Sequence, residues 1–541
     1  MDRSTKRSVP FDGDEPSRNN TPLSLTNPIS PPTKKRKLAV PLEDDNAVDN
    51  SSPPPKTFRS PFQLTRICDL PPEKNRDTVT LKGILGDPLI SECWEFNYLH
   101  DIDFLMNAFD QDVRHLVKVH VVHGFWKKED PRRLALQEMA SRYSNVTLHS
   151  AYLPEMFGTH HSKMMILLRH DETAQIVIHT ANMIVRDWTN MTQAVWLSPR
   201  LPLMKPSQQS ATSTGQEPKI GSGARFKIDF LNYLRAYDTR RSDYGPIIDQ
   251  LREYDFSAIR GSLIASVPGR HKLNSDSPTK WGWPAMEQAL KAVPVHQQKS
   301  EIVVQISSIA TLGPTDTWLR NTFFRALSSG RGGAGTPRPP PDFKVVFPTA
   351  DEIRKSLDGY ESGGSIHTKI QSAQQAKQLQ YLKPMLCHWA NDSADGAELK
   401  DGDTVKEAGR QRAAPHIKTY IRYGDRSDQS IDWALVSSAN LSKQAWGEAA
   451  NSAGEVRIAS YEIGVLVWPE LYGGEGTVMK ATFQTDSLGR GEGEGEDDPA
   501  PAVALRLPYN LPLQPYGRAE VPWVATTSHS VPDWKGRTWE P

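Results

Sequence analysis

The chain has 541 residues, room for two to four domains with a sizeable core at roughly 150 residues per domain. Lys plus Arg and Asp plus Glu each total 64, so the formal net charge is zero, which excludes a histone-like coat for polyanions but permits a local basic groove. Hydrophobic residues reach only 37% beside 42 Pro and 36 Gly, a balance that implies disordered segments diluting a globular body.

Residues 1 to about 60 are dense in Pro, Ser, Asn and charge and read as a disordered tail. Within it, Lys34-Lys35-Arg36-Lys37 follows two prolines, a compact basic run that suits a nuclear-import receptor and predicts a nuclear protein. The first residues lack the apolar core of a signal peptide, and no apolar run approaches 18 residues, so no membrane span is expected. Cys68, Cys93 and Cys387 are too few for a disulfide framework, and none pairs as CxxC. A reducing compartment is expected, without a cysteine-based zinc site.

From Ser60 the texture changes. Residues 117–122 are β-branched and apolar, a strand signal, and 131–143 have helical spacing with Pro131 at the start. The apolar runs 163–168 and 174–178 flank Arg169-His170-Asp171-Glu172-Thr173 and predict a hairpin. Residues 203–223 read as a loop, and 226–237 as an amphipathic helix. A similar stretch follows, with strands over 301–307 and 343–347 and a helix over 315–328 capped by Thr315. Further buried strands are expected over 433–436 and 463–468, and surface insertions over 328–341 and 486–501. Strands alternating with helices in both halves indicate an α/β fold.

A duplicated motif carries the chemistry. His161-Ser162-Lys163 precedes the hairpin, and Asn182 stands nineteen positions after Lys163. His416-Ile417-Lys418 precedes a second strand pair, and Asn440 stands twenty-two positions after Lys418. In extended backbone, residues i and i+2 share a face, so each His lies beside its Lys. Imidazole is a nucleophile near neutral pH. Lysine clamps a phosphate oxygen, and an Asn amide adds a directional donor. Two such units facing each other would surround one phosphate with two cations and two amides. One His would be in line for attack and the other behind the leaving group. The lysines would supply the charge that a metal supplies elsewhere, so no cofactor is expected. A third His-x-Lys, His367-Thr368-Lys369, lacks the downstream Ala-Asn and is set aside. His160 should point to the opposite strand face in a structural role, and Asp101 and Asp103 read as a helix start rather than a metal pair.

With Phe96-Asn97-Tyr98, Phe157-Gly158-Thr159, Gln305-Ile306-Ser307-Ser308, Ser438-Ala439-Asn440-Leu441-Ser442-Lys443 and Ser460-Tyr461-Glu462-Ile463-Gly464, these motifs make the chain resemble the tyrosyl-DNA phosphodiesterases, a divergent branch of the phospholipase D superfamily. The resemblance covers roughly residues 60–541. The broader superfamily carries His-x-Lys-x4-Asp; Leu168 and Tyr423 occupy the two Asp positions here, a departure this branch shares. The resemblance implies two similar domains, 60–258 and 259–541, each a mixed sheet flanked by helices and related by a pseudo-two-fold axis. It implies His161 as nucleophile and His416 as general acid and base, with Lys163, Lys418, Asn182 and Asn440 on the phosphate oxygens. Gln193 and Glu462 would orient the imidazoles, with the pairing left open. Ser307, Ser308, Thr311 and Ser365 match residues that position DNA phosphates, Phe157 matches a base-stacking aromatic, and Tyr98 and Trp523 match residues lining the groove.

The implied reaction is hydrolysis of a 3′-phosphotyrosyl or other 3′-adducted DNA end through a phosphohistidine, repairing stalled topoisomerase I complexes. The expected partners are single-stranded or duplex DNA 3′ ends and the tyrosyl peptide, acted on by a monomer. Two rival readings are a nuclease or phospholipase of the same superfamily, and a catalytically dead DNA-end binder. Both His-x-Lys units are intact, which disfavours the second.

Overall fold

The predicted hairpin forms from Met164–Arg169 and Thr173–His179, with Met164 opposite Ile178 and Leu168 opposite Ala174. Glu172 makes the turn at φ 60°, a left-handed position. Around this hairpin a sheet is ordered Gln63–Leu64, Ala194–Leu197, Thr173–His179, Met164–Arg169, Ile90–Phe96, Lys118–His123, Val146–Ser150. The last three strands are mutually parallel, and every other neighbour on this path is antiparallel. This computed structural model describes residues 57–205, 217–237, 244–296, 298–332, 338–392, 404–424, 430–489 and 500–541. The basic run 34–37, and parts of the 203–223 loop and of both insertions, lie outside the described residues.

A second sheet repeats the first strand for strand: Ser262–Ser266, Glu462–Val467, Ile431–Ser437, Thr419–Tyr423, Glu301–Gln305, Asp342–Val346, Leu386–Cys387. Its directions match as well, with the last three strands parallel and the rest antiparallel. The duplicated motif is therefore the trace of a duplicated sheet. Lys163 and Lys418 each immediately precede the corresponding strand, and Asn182 and Asn440 each lie three residues beyond the next one.

Period-2 alternation sorts the first sheet into two faces. Cys93, Val119, Val121, Met165, Leu167 and Val177 pack into one core under the helices Leu81–Leu85, Ile102–Ala108 and Pro131–Ala140. Trp94, Phe96, Ile166, Ile176 and Trp196 face the other way, into a core they share with Phe226 and Phe230 of the helix Gly223–Tyr237 and with the second sheet. The central strands of that second sheet are buried on both faces, so their sequences are mainly apolar, and the buried charges Arg422 and Asp432 pair with each other at 3.0 Å.

Three expectations need correction. Thr57–Phe58, assigned to the tail by composition, pairs in parallel with Ala502 and Val503, and Phe58 packs on Tyr472. Thr315 does not cap a helix, because its hydroxyl meets that of Thr317 at 2.9 Å. The helix there runs through a π-helical stretch, Leu319–Phe324, into Arg325–Leu327. The helix predicted over 131–143 stops at Ala140, and Asp130 starts it by accepting from Arg132 N.

Candidate active site

The two His-x-Lys segments meet between the sheets, each stitched to the opposite half. His161 N donates to Tyr461 O (3.0 Å), and Tyr461 N donates to Thr159 O (2.9 Å). On the other side Ile417 N donates to Thr192 O and Thr192 N to Ala414 O, both 2.9 Å. The residue after each bridge is an orienting side chain. Glu462 follows Tyr461 and opens the strand Glu462–Val467; Gln193 follows Thr192 and precedes Ala194–Leu197. Close approach makes this possible at Gly158, where a Cβ would stand 2.1 Å from Ala459 O.

The pairing left open by the sequence is crossed. His161 Nδ1 lies 2.9 Å from Glu462 Oε2, which also accepts from Ser438 Oγ (2.5 Å). A carboxylate only accepts, so the proton sits on Nδ1 and Nε2 keeps its lone pair. His416 Nδ1 faces the Gln193 amide at 3.1 and 3.3 Å and Asp187 Oδ2 at 3.3 Å. Thr180 Oγ1 donates to Gln193 Oε1 at 2.7 Å. On its far side, His416 Nε2 stands 3.3 Å from Lys418 Nζ.

The asparagines are held in different ways. Asn440 Oδ1 accepts from the N–H groups of Ser307 and Ser308 (3.1 and 2.9 Å), which directs its NH2 group away from them. Asn182 gives both its backbone N–H and one amide hydrogen to Asp187 Oδ2, at 2.7 and 2.9 Å.

Burial dominates the electrostatics. Lys163 and Lys418 are fully buried. Desolvation lowers the Lys163 ammonium to about 8, against the pull of Glu462, Asp187 and Glu95. Lys418 is driven well below its usual range by burial and then by Lys163. His161 is lowered by burial, with Glu462 opposing, and His416 is lowered further by burial and then by Lys418, Lys163, His161 and His367. Two lysines and two imidazoles packed out of water form a concentrated site for an anion.

The remaining predicted residues fall around this centre. The Tyr98 ring lies 5.7 Å from that of His161, and its hydroxyl accepts from Arg132 (3.3 Å). Phe157 is 84% exposed and held at φ 61°. Thr311 is exposed and Ser308 and Ser365 are half-buried. Trp523 does not line an open groove. It is fully buried, and its indole N–H donates to Gly363 O and Ile366 O, so it braces the turn that carries Ser365. His160 is structural, with Nδ1 on Asn97 O and Nε2 on the Tyr237 hydroxyl. Asp101 caps its helix by accepting from Phe104 N, and Asp103 pairs with Arg142 and Tyr143. Among the described residues, no group of three or more His, Cys, Asp or Glu side chains could hold a metal ion.

Sequence reasoning missed Asp187, Ser438 and Thr180. Asp187 reads as an ordinary first-turn acid of the helix Val185–Thr189, and the second unit has Ala445 at the matching distance from its Asn. The duplication that exposed the other residues therefore hid this one. His367, set aside for lack of a following Asn, lies near enough to act electrostatically on His416, although its side chain is exposed.

Residues 61–517 match the family model for tyrosyl-DNA phosphodiesterase. A probable tyrosyl-DNA phosphodiesterase of Schizosaccharomyces pombe is 30% identical, over 89% of this chain and 96% of that protein. Tyrosyl-DNA phosphodiesterase 1 of Drosophila melanogaster is 32% identical, over 85% of this chain and 73% of that protein. The crystal structure of the yeast tyrosyl-DNA phosphodiesterase shares the fold, with a TM-score of 0.59 at 20% identity, over 86% of this chain and 98% of that one. With paired His-x-Lys segments on a duplicated sheet and these relatives along most of its length, the chain belongs to the tyrosyl-DNA phosphodiesterase family.

Proposed function

We propose that the chain hydrolyses 3′-phosphotyrosyl and related 3′-adducted DNA ends without a metal, through a phosphohistidine, in repair of stalled topoisomerase I complexes. The carrying observation is the crossed pairing, His161 with Glu462 and His416 with Gln193, each histidine beside its own buried lysine.

His161 Nε2 attacks phosphorus as the bond to the tyrosyl oxygen breaks, and protonated His416 gives its Nε2 proton to the departing phenolate. The phenol, with a pKa of about 10, gains from this proton less than an alkyl alcohol would, so other 3′ adducts are also substrates. His416, now neutral, takes a proton from water. The resulting hydroxide attacks phosphorus, the P–N bond breaks, and a 3′-phosphate leaves. Lys163, Lys418 and the amides of Asn182 and Asn440 hold the equatorial oxygens throughout. Ser307, Ser308, Thr311 and Ser365 position the DNA backbone, and exposed Phe157 stacks on a base. The basic run 34–37 supports a nuclear location.

The test is an oligonucleotide with a 3′-phosphotyrosine, incubated in EDTA with wild type, His161→Ala and His416→Ala. Conversion to a 3′-phosphate by wild type alone is expected, as is a trapped protein–DNA adduct with His416→Asn. Activity abolished by EDTA, or unchanged in His161→Ala, would overturn the mechanism.

A further inference from the structure

We infer that Asp187 is a positioning residue that keeps His416 protonated for the first chemical step, acting as the buried counter-ion of its imidazolium. This rests on the reading of His416 as general acid.

The geometry is specific. Asp187 is fully buried, and its Oδ2 lies 3.3 Å from His416 Nδ1 while accepting from Asn182 N and Nδ2. Gln193, the orienting partner expected from sequence, meets the same nitrogen but is neutral. It can fix a tautomer yet cannot offset a charge. Besides burial, Lys418, Lys163, His161 and His367 lower His416, every one of them cationic or able to become so. Burial raises the Asp187 carboxyl, and the hydrogen bonds from Asn182 and the charges of Lys418 and Lys163 oppose that rise. Glu462 is engaged by His161 and Ser438. The carboxylate in contact with His416 is therefore Asp187. Without it, a histidine buried 3.3 Å from Lys418 Nζ has no electrostatic reason to take a second proton. The two orienting pairs thus differ for a reason. The nucleophile must be neutral at Nε2 and carries Glu462 on Nδ1. The acid must carry two protons in the first step and one in the second, and it has a neutral amide with a carboxylate beside it.

The two histidine roles respond differently to loss of this charge, which gives the test. Two oligonucleotides are compared under single turnover, one ending in 3′-phosphotyrosine and one in a 3′-p-nitrophenyl phosphodiester, whose more acidic phenol leaves without a proton. Asp187→Asn keeps the shape and hydrogen-bonding reach of the side chain but removes its charge. Tyrosine release is expected to fall about 100-fold, in the range of general-acid contributions. Release of p-nitrophenol should fall less than about fivefold, and the alkaline limb of the tyrosine reaction should move to lower pH. Asp187→Glu should recover part of the tyrosine rate. Asn182→Ala, which removes the amide that Asp187 also holds, should slow both substrates alike. Asp187→Ser reads the same ratio should the Asn chain fail to fold. Equal losses on both substrates in Asp187→Asn, or no loss on either, would overturn the inference. The His416→Ala variant separates this from failure of the underlying reading: if its own loss is the same for both leaving groups, His416 is not the acid.

Discussion

Lys163 shows how one residue ties burial to function. Fully enclosed, its ammonium titrates at about 8, whereas Lys418 is driven lower still by burial and by Lys163 itself. An anionic phosphodiester entering between them favours the charged form of both. The sign follows directly. Below about 8 Lys163 is charged before substrate arrives; above it, binding must also take up a proton. In the His161→Ala chain, expected to be inactive, DNA affinity followed by fluorescence anisotropy should therefore weaken as pH rises from 7 to 9, by about tenfold, the worth of one charge-assisted hydrogen bond. Lys163→Met should bind weakly throughout and show a shallower slope, since only Lys418 then takes up a proton. A pH-independent affinity in the parent chain would show that Lys163 does not meet the phosphate.

At the scale of elements, the site depends on where segments are allowed to touch. Gly158 lies against Ala459 O, and a methyl there must push apart the two segments that lead into His161 and Glu462. Gly158→Ala is expected to cost about 1–3 kcal/mol, the usual penalty for overpacking. It should also slow formation of the proposed histidine adduct, because the 2.9 Å contact from His161 to Glu462 opens. A wild-type urea midpoint together with wild-type adduct formation would refute this. The same logic explains what the sequence made legible. Short apolar runs over 163–168, 174–178 and 433–436 marked the strands Met164–Arg169, Thr173–His179 and Ile431–Ser437, because both faces of each are largely buried. Repetition of the motif marked His161, Lys163, Asn182 and their counterparts, because the duplicated sheet demands the same residues twice. What occurs once escaped. Asp187 has no twin, Thr57–Phe58 is a strand only because Ala502 and Val503 lie beside it, and Trp523 is buried by a turn distant in sequence. The crossing of Gln193 and Glu462 between halves is likewise tertiary, set by two bridges that local pattern does not encode.

The whole molecule extends that interdependence to folding. Residues 60–258 and 259–541 each carry a sheet, yet they share one apolar core. Trp94, Ile166 and Phe230 from the first half cluster with Ile264, Leu435 and Val465 from the second. Described segments far apart in sequence are joined as well. Arg506 donates to Arg76 O and Asp77 O and pairs with Asp486, while His388 meets Glu520 at 2.7 Å and lies 3.3 Å from Glu352. Separating the halves would expose one face of each sheet and strip both histidines of their orienting partners at once. Hydrophobic burial is the main favourable term in folding, so each half is expected to lose, with the shared core, much of what offsets its chain entropy. Residues 57–541 should therefore unfold in a single urea transition, with tryptophan fluorescence, far-UV circular dichroism and phosphodiesterase activity lost together. Residues 57–258 produced alone should be protease-sensitive and inactive. Two separated transitions, or a protease-resistant isolated half, would mean that the halves are independent domains that merely dock. The active site would then be assembled by association, and cooperative folding would play no part in holding its two histidines in register.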